Sequence, residues 1–286
     1  IRDRLREALG HYERALRVYE DLLARDPESE VRMSQVAMTL NGLGGVLYRM
    51  GRLEEARERL ERALQIFEEL LARDPESEVR MSDVAETMNN LGLLLSDMGR
   101  LEEARARYER ALRMREDLLA RDPESEVRMS DVAMTLNNLG NVLSRIGRLE
   151  EARGMYERAL QIFEDLLAMD PESEVRMSWV AMTLNNLGEL LSRMGGLEEA
   201  RERLERALRM REDLLARDPE SEVRMSDVAR SSLGLALTLI RQGLRDEARP
   251  HLERAVSLLR KLTEIRPELY SEVLLRAERL LSQACG

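Results

Sequence analysis

The chain has 286 residues, of which 35% are charged and only 3% are aromatic, and its formal net charge is −10. This composition is typical of a helical protein with solvated faces and argues against a disordered chain. It also disfavours nucleic acid as the main partner, because duplex binding needs a patch of Lys and Arg, and here these residues alternate with Glu.

No run of the sequence approaches the roughly 18 apolar residues that span a bilayer, so we expect no membrane insertion. The single Cys285 permits neither an intrachain disulfide nor a Cys-based zinc site, which fits a reducing compartment and a cytoplasmic location. The chain opens at Ile1, halfway through a repeat, so we expect a trimmed piece of a longer protein, and a lost signal peptide stays open.

A nine-residue motif, Asp-Pro-Glu-Ser-Glu-Val-Arg-Met-Ser, occurs five times at intervals of 48 residues. A fixed period of roughly 20 to 50 residues marks a stack of similar units, each of which buries its apolar face only against its neighbours. The motif begins at Asp26, Asp74, Asp122, Asp170 and Asp218.

In chain order, residues 1–25 are predicted to form a lone helix B, and residues 27–265 to form five pairs of helix A and helix B. Residues 267–284 are predicted to form a final helix that caps the fifth pair. The prediction is therefore twelve helices, all-α and without strands, in a single solenoid domain over residues 1–286.

Helix A of the third repeat has apolar residues at intervals of three and four, the spacing of one buried helical stripe. We predict that Asp122 is its N-cap, Pro123 its first helical residue and Gly147 its end. The stripe consists of Met129, Val132, Leu136, Leu139, Leu143 and Ile146.

Helix B of the same repeat also has one apolar face, and the predicted helix ends at the next Asp-Pro pair. Its other face carries Glu and Arg four residues apart, which indicates a solvated surface. The apolar positions are Leu149, Ala152, Tyr156, Ala159, Leu160, Phe163 and Leu167.

The small and bulky positions of each repeat resemble those of the tetratricopeptide repeat, with a period of 48 rather than 34 residues. The Leu-Asn-Asn-Leu string at Leu136 to Leu139 is similar to the long repeats of kinesin light chains. The resemblance implies a right-handed superhelical α-solenoid of antiparallel helix pairs, with ligands bound in a concave groove lined by helix A. It is carried in the third repeat by Leu136, Leu139, Gly140, Leu143, Gly147, Ala152, Tyr156 and Ala159.

The five repeats differ from one another at a limited set of helix A positions. Five of these positions are spaced by three and four residues, so they form one stripe that points away from the core. Many exposed helix B positions recur unchanged, which favours diversification for recognition, with neutral drift as the alternative. In the third repeat this variable stripe consists of Asp131, Met134, Asn138, Asn141 and Arg145.

Asparagine recurs near the middle of helix A, although it is a mediocre helix former. A carboxamide both donates and accepts hydrogen bonds and so matches the backbone of an extended peptide. The resemblance implies that an Asn ladder of Asn90, Asn138 and Asn186 holds such a peptide. The full set predicted to line the groove is Asn41, Asn89, Asn90, Asn137, Asn138, Asn185 and Asn186.

Further stripe residues complete the predicted groove together with Asn141. Met38, Met134 and Met182 would supply an adaptable apolar lining, with packing between repeats as the alternative. Trp179 would be a single large anchor. Arg49, Arg145 and Arg193 would hold a ligand carboxylate, or alternatively pair with Asp83 and Asp131 across the groove.

No constellation of residues suggests catalysis, a metal site or a cofactor. His11 and His251 occupy one repeat position that elsewhere is mostly Arg, and the abundant Glu alternate with Arg on solvated faces. We therefore expect a non-catalytic scaffold that binds an extended peptide or protein segment. The alternatives are a self-assembling scaffold, with homo-oligomers formed through the exposed N-terminal helix, and the sensor arm of a larger regulatory ATPase.

Overall fold

The computed structural model describes residues 2–285 and the side chains of residues 4–284. Ile1 and Gly286, which the predicted domain includes, and the side chain of Cys285 lie outside this described part. Within it there are twelve helices and no strand, as predicted. The helices are α1 (Arg2–Arg25), α2 (Glu30–Arg49), α3 (Leu53–Arg73), α4 (Glu78–Asp97), α5 (Leu101–Arg121), α6 (Glu126–Ile146), α7 (Leu149–Met169), α8 (Glu174–Met194), α9 (Leu197–Arg217), α10 (Glu222–Arg241), α11 (Arg245–Ile265) and α12 (Pro267–Cys285).

The chain divides into two compact units, Ile1–Gly147 with α1 to α6 and Arg148–Gly286 with α7 to α12. Within each unit every helix packs against the next one along the chain. The even-numbered helices α2 to α10 are the helices A, and the odd-numbered helices are the helices B. This confirms the predicted α-solenoid of helix pairs in each unit, whereas the single domain over residues 1–286 stays a prediction.

The two kinds of helix are packed differently against their counterparts in adjacent repeats. In the first unit α2 packs directly against α4 and α4 against α6, and in the second unit α8 packs against α10. Neighbouring helices B among the described residues do not approach one another to this extent. The helix A side is therefore the more tightly packed side of each unit, as expected of the inner surface of a curved repeat array.

The predicted start of helix A is wrong by one turn. Ser125, not Asp122, is the N-cap of α6, and its side-chain oxygen accepts a hydrogen bond from the backbone N–H of Arg128 at 3.4 Å. Asp122 instead closes a turn, because its carbonyl accepts from the N–H of Ser125 at 3.3 Å. The non-helical backbone of Asp122, with φ at −144° and ψ at 82°, ends α5 rather than beginning α6, since the following Pro123 disfavours the helical conformation there.

The predicted end of helix A is confirmed. Gly147 caps α6 in the left-handed conformation, with φ at 99°, and its N–H donates to the carbonyl of Leu143 at 3.0 Å. A side chain in this conformation would meet its own backbone, so glycine is the residue that ends a helix here at least cost.

The arginine of the repeated motif joins three helices. The Arg80 guanidinium donates to the carbonyl of Leu70 at 2.6 Å, at the end of the preceding helix B. It also pairs with Glu30, at the start of helix A one repeat earlier, at 2.5 Å. The same contacts recur in α6 and α10, so the motif is a structural clamp that satisfies the last carbonyls of helix B. The clamp arginines are Arg80, Arg128 and Arg224.

The core lies between the apolar faces of paired helices, at the predicted positions. Leu136, Tyr156 and Phe163 are at most 2% exposed, and small residues allow close helix approach. Gly92 in α4 faces the ring of Tyr108 in α5, where an added Cβ would lie 2.8 Å from the ring. Glycine inside this helix is therefore required by packing.

Candidate functional site

The variable stripe lies on the surface of the helices A in both units. Met38 is 60% exposed and Leu93 is 40% exposed, and the other stripe residues are exposed or half-buried. The prediction that this stripe points away from the core is confirmed. In the first unit the stripes of α2, α4 and α6 lie side by side, because α4 packs directly against both α2 and α6.

The asparagines of the first unit bond to each other across adjacent helices A. The side-chain amide of Asn90 in α4 donates to the side-chain oxygen of Asn41 in α2 at 3.3 Å. One repeat later Asn138 in α6 donates to Asn89 in α4 at 3.4 Å. These two long hydrogen bonds form a ladder across α2, α4 and α6, and all four side chains are half-buried.

Each amide in this ladder keeps unused hydrogen-bonding capacity. A carboxamide has two donor hydrogens and an oxygen with two lone pairs, and each ladder contact uses one hydrogen and one lone pair. The second N–H and the oxygen of Asn90, for example, can still meet a peptide group. The ladder therefore orients its amides without saturating them.

Two of the predicted groove asparagines are not accessible, so their assignment to the groove is wrong. Asn137 and Asn185 are each 1% exposed. The Asn185 oxygen accepts from Ser231 at 2.9 Å and from the buried Arg211 at 3.2 Å, and its amide donates to Glu189 at 2.8 Å. The packing of α9 and α10 onto α8 thus uses the amide of Asn185 inside the second unit.

The residue at the first position of the variable stripe contacts a buried residue of the preceding helix B, and its chemistry matches that residue. Arg115 of α5 is 9% exposed, and it donates to the backbone carbonyl of Asp131 at 2.9 Å and to Thr135 at 2.5 Å. Its guanidinium lies 3.9 Å from the Asp131 carboxylate. Arg211 and Asp227 repeat this arrangement in the second unit, with 4.0 Å between the charged groups. Burial lowers the pKa of Arg211 to about 10, with Arg230 adding to the effect.

Trp179 occupies this first position in α8, and its partner in helix B is aromatic. The rings of Trp179 and Phe163 are 5.4 Å apart between centroids, with their planes tilted by 36°. Trp179 is half-buried, so one part of the indole packs on Phe163 and the rest is accessible. Its large size is explained by this contact, and its role as a ligand anchor stays a prediction.

Asp83 occupies the same stripe position in α4, where the facing residue of helix B is uncharged. The residue equivalent to Arg115 is Phe67, which is 2% exposed. Burial and the nearby Glu86 raise the pKa of Asp83 to about 6. Asp83 is thus a carboxyl group without the neutralising arginine that Asp131 has.

The residue at the last position of the stripe also matches a residue that it contacts, in this case one on the preceding helix A. Arg145 donates to the hydroxyl of Ser96 at 2.6 Å, and Arg241 donates to Ser192 at 3.2 Å. Where the preceding helix has Tyr48, the stripe has Asp97, which accepts the Tyr48 hydroxyl at 2.5 Å. Burial and this hydrogen bond raise the pKa of Tyr48 to about 12.

These contacts account for several differences between the repeats without a ligand. Arg145 meets Ser96, and Asp131 meets Arg115, rather than pairing with each other across a groove. Gly42 is also explained, because a Cβ there would lie 2.5 Å from the Tyr12 ring. These contacts do not explain the differences between repeats in the middle of the stripe, where most of the residues face solvent at least in part. In the first unit these middle residues are Met38, Gly45, Glu86, Asn90, Leu93, Met134, Asn138 and Asn141.

The remaining predicted residues lie where the stripe places them. Met134, Met182, Asn141 and Asn186 are half-buried, and Arg49 and Arg193 are exposed. Sequence reasoning missed the coupling of the first and last stripe positions to their neighbours. The signal was present, because Asp131 and Asp227 each follow an Arg sixteen residues earlier, whereas Trp179 follows Phe163 at the same distance.

The described residues form neither a metal site nor a membrane-spanning helix. No group of three or more His, Cys, Asp or Glu in this part of the chain is placed to hold a metal ion. No helix within it has the length and apolar character needed to cross a membrane.

Paired helices that recur every 48 residues, with a diversified surface on the first helix of each pair, define an α-solenoid repeat protein. Family models described as tetratricopeptide repeat match residues 3–31, 35–117, 132–168, 180–220 and 228–264. The chain therefore belongs to the tetratricopeptide repeat family. Such repeats generally mediate protein–protein interactions.

Solved structures support the same fold. BtubC (BKLC) from P. vanneervenii is similar with a TM-score of 0.67 and 22% identity, over 91% of this chain and 92% of that chain. The nearly identical TPR-like repeats of a Podosopora anserina protein assigned as a kinesin light chain give a TM-score of 0.58 and 21% identity, over 82% of this chain and 98% of that chain. No curated protein sequence shows a significant match to the chain.

Proposed function

We propose that this chain is a non-catalytic interaction scaffold that binds an extended peptide segment across the helix A surface of its first unit. The observation that carries the proposal is the ladder of Asn41, Asn89, Asn90 and Asn138, whose amides are oriented by each other and remain partly unused. Half-buried amides in a row across three helices can meet successive peptide groups whatever the ligand side chains are.

The geometry of the ladder sets the length of peptide that fits. Helices in contact lie about 8 to 10 Å apart, and an extended chain advances about 3.3 Å per residue. Each step from one helix A to the next therefore matches about three peptide residues. The three helices α2, α4 and α6 would together hold about six residues of backbone.

The residues that flank the ladder would give the site its side-chain preference. Met38 and Leu93 are exposed apolar residues, and Met134 is half-buried beside them in the stripe. Exposed Met and Leu at this spacing offer an adaptable apolar surface for the side chains of a bound segment. Glu86 places a negative charge in the same stripe, which favours a basic or neutral ligand over an acidic one.

The test is a selection of random peptides about ten residues long on the full chain, followed by affinity measurement of the enriched sequences. The double variant Asn90→Ala, Asn138→Ala removes both donors of the ladder, and Gln65→Ala is the matched control on the exposed face of α3. We expect the double variant to lose about tenfold or more in affinity, and the control to bind like the unmodified chain. Equal binding by the double variant would overturn the proposal.

A further inference from the structure

The second unit contains a pocket of about 550 Å³ between α10 and α12, which the peptide proposal does not use. Ala229, Leu259 and Ala277, all buried, lie at its floor. Its walls include Leu233 and Leu237 of α10 and Val273 of α12. Its volume lies in the range of roughly 300 to 1,000 Å³ that is usual for sites of small ligands.

The pocket exists because α12 takes the place of a helix A without making the contacts of one. The position of α12 that is equivalent to the clamp arginine Arg224 holds Glu272. Instead, Tyr270 and the preceding Arg266 hold the start of α12, because both contact Glu222 at 3.2 Å. Farther along, Glu278 of α12 pairs with Arg260 of α11 at 2.8 Å. It packs on α11 and leaves a cleft toward α10.

The charged groups around the pocket are mostly positive. Arg193, Arg230, Arg241 and Arg276 line it, together with two carboxylates, Glu189 and Glu272. Arg230 pairs with Asp227 at 2.6 Å, and Arg241 meets only a hydroxyl, that of Ser192 at 3.2 Å, among its described contacts. Arg276 is exposed. The rim is therefore cationic, and its guanidinium groups can donate hydrogen bonds to a bound anion.

One end of the pocket is polar and the rest is apolar. Ser192 and Thr238 are buried, and their hydroxyl oxygens lie 3.1 Å apart beside the Arg241 guanidinium. Gly234 also lines the pocket, and an added Cβ there would lie 3.4 Å from the Glu189 carboxylate and 3.4 Å from Leu204. From this corner, Leu237 and Leu233 lead along α10, with Val273 and Leu269 on the α12 side.

We infer that this α10–α12 pocket binds a small amphiphile in which one carboxylate is attached to an unbranched or aromatic apolar body. The carboxylate is held by Arg241 and the Ser192 hydroxyl, and the apolar body lies along Leu237, Leu233 and Val273. A single negative charge matches the rim better than a doubly charged phosphate monoester, because Glu189 and Glu272 also line the pocket. Burial of the aliphatic carbons of the ligand stabilises the complex through the hydrophobic effect.

The test is calorimetric titration of the full chain with decanoate below its micellar concentration. We expect one saturable site for decanoate and no detectable binding of butyrate, which has the same head group and too short a body. Decyltrimethylammonium, with the same apolar chain and a positive head group, should not bind. Decyl phosphate should bind more weakly than decanoate.

Matched variants locate the site. Arg241→Gln and Leu237→Asn should each weaken decanoate binding about tenfold or more. Arg113→Gln makes the same charge change at an exposed position of α5, outside the pocket and the stripe, and should leave binding unchanged. Arg276→Gln, at an exposed position of α12, should also weaken binding and provides a second charge test if Leu237→Asn does not fold.

The inference is overturned if decanoate shows no saturable binding or if the cationic amphiphile binds. It is also overturned if Arg241→Gln and Arg276→Gln both bind decanoate as tightly as the unmodified chain does. Tighter binding of decyl phosphate than of decanoate overturns the carboxylate assignment. These outcomes are independent of the peptide proposal, since the ladder asparagines of the first unit are unchanged in the variants of this pocket.

Discussion

Trp179 and Phe163 pack ring against ring, 5.4 Å apart between centroids, although they belong to different helices. At the equivalent place in α5 and α6 the pair is Arg115 and Asp131, and in α9 and α10 it is Arg211 and Asp227. A residue of helix A is thus matched in chemistry to a buried residue of the preceding helix B. The equivalent pair in α3 and α4, Phe67 and Asp83, is not matched in this way.

The unmatched Asp83 should make stability depend on pH. Its pKa is raised to about 6, above the value of about 3.9 in an unfolded chain, so the folded protein holds a proton that the unfolded chain releases. This contribution to stability is present at about pH 4 and is lost as pH rises through about 6. We therefore expect Asp83→Asn to be more stable than the unmodified chain at about pH 7.5.

Urea unfolding followed by circular dichroism at about pH 4 and about pH 7.5 measures this difference. Asp131→Asn is the matched control, because Asp131 has the Arg115 guanidinium beside it and its substitution should not stabilise the protein at the higher pH. An equal effect of Asp83→Asn at both pH values would show that ionisation of Asp83 is not coupled to folding.

An arginine at position 67 should supply the missing partner. In Phe67→Arg the new guanidinium can meet the Asp83 carboxylate and the Thr87 hydroxyl, as Arg115 meets Asp131 and Thr135. We expect the pKa of Asp83 to fall below its present value of about 6, measured by NMR titration of its carboxyl carbon.

The same substitution at the equivalent aromatic should be harmful. In Phe163→Arg the guanidinium faces Trp179 and has no carboxylate at this position, so a buried charge is left unpaired. We expect Phe163→Arg to be less stable than Phe67→Arg by about 3 kcal/mol or more in urea unfolding. Equal stability of the two variants would contradict the matching of residues between helices B and A.

Glycine substitutions separate packing from helix propensity. Gly92 and Gly45 both lie inside helices A, but a Cβ at Gly92 would be 2.8 Å from the Tyr108 ring, and a Cβ at Gly45 meets nothing within 4 Å. Alanine is favoured over glycine in a helix by about 0.8 to 1.0 kcal/mol. We expect Gly45→Ala to raise the thermal midpoint and Gly92→Ala to lower it. A rise for both would show that Tyr108 yields without cost.

The motif clamp should be measurable as a loss of stability. Arg128 bonds the Leu118 carbonyl and pairs with Glu78 at 2.6 Å, and hydrogen bonds of charged groups contribute about 1.5 to 3 kcal/mol. We expect Arg128→Gln to lower the free energy of unfolding by about this amount. Arg113→Gln, at an exposed position of α5, is the control and should have little effect. An equal effect of the two substitutions would rule out the clamp.

Much of the fold could be predicted from the sequence, because apolar spacing and the 48-residue period determine which faces are buried. Leu136 and Phe163 lie in the core as expected, and Gly147 ends its helix. The prediction of where helix A starts is wrong because the motif contains two good N-caps, Asp122 and Ser125, three residues apart. Only the tertiary structure shows that Asp122 is used to close the turn.

The candidate site was less predictable, since exposure of a stripe does not reveal what each side chain contacts. Asn89 and Asn137 occupy equivalent positions, yet Asn89 is half-buried and Asn137 is 1% exposed. Asn185 is buried because Arg211 and Ser231 bond to its oxygen, and these partners come from helices that follow it in the chain. Long-range contacts of this kind have no signature in local spacing.

If the first unit binds a peptide as proposed, its oriented amides meet the backbone of that peptide. The most direct test is NMR of the side-chain amides of Asn90 and Asn138 during titration with a peptide selected on the full chain, with Gln65 as the internal reference. We predict saturable shifts of both asparagine amides, a fixed Gln65 signal, and loss of these shifts with a peptide N-methylated along its backbone. Binding of the selected peptide without a change at either asparagine would show that the peptide does not contact the ladder.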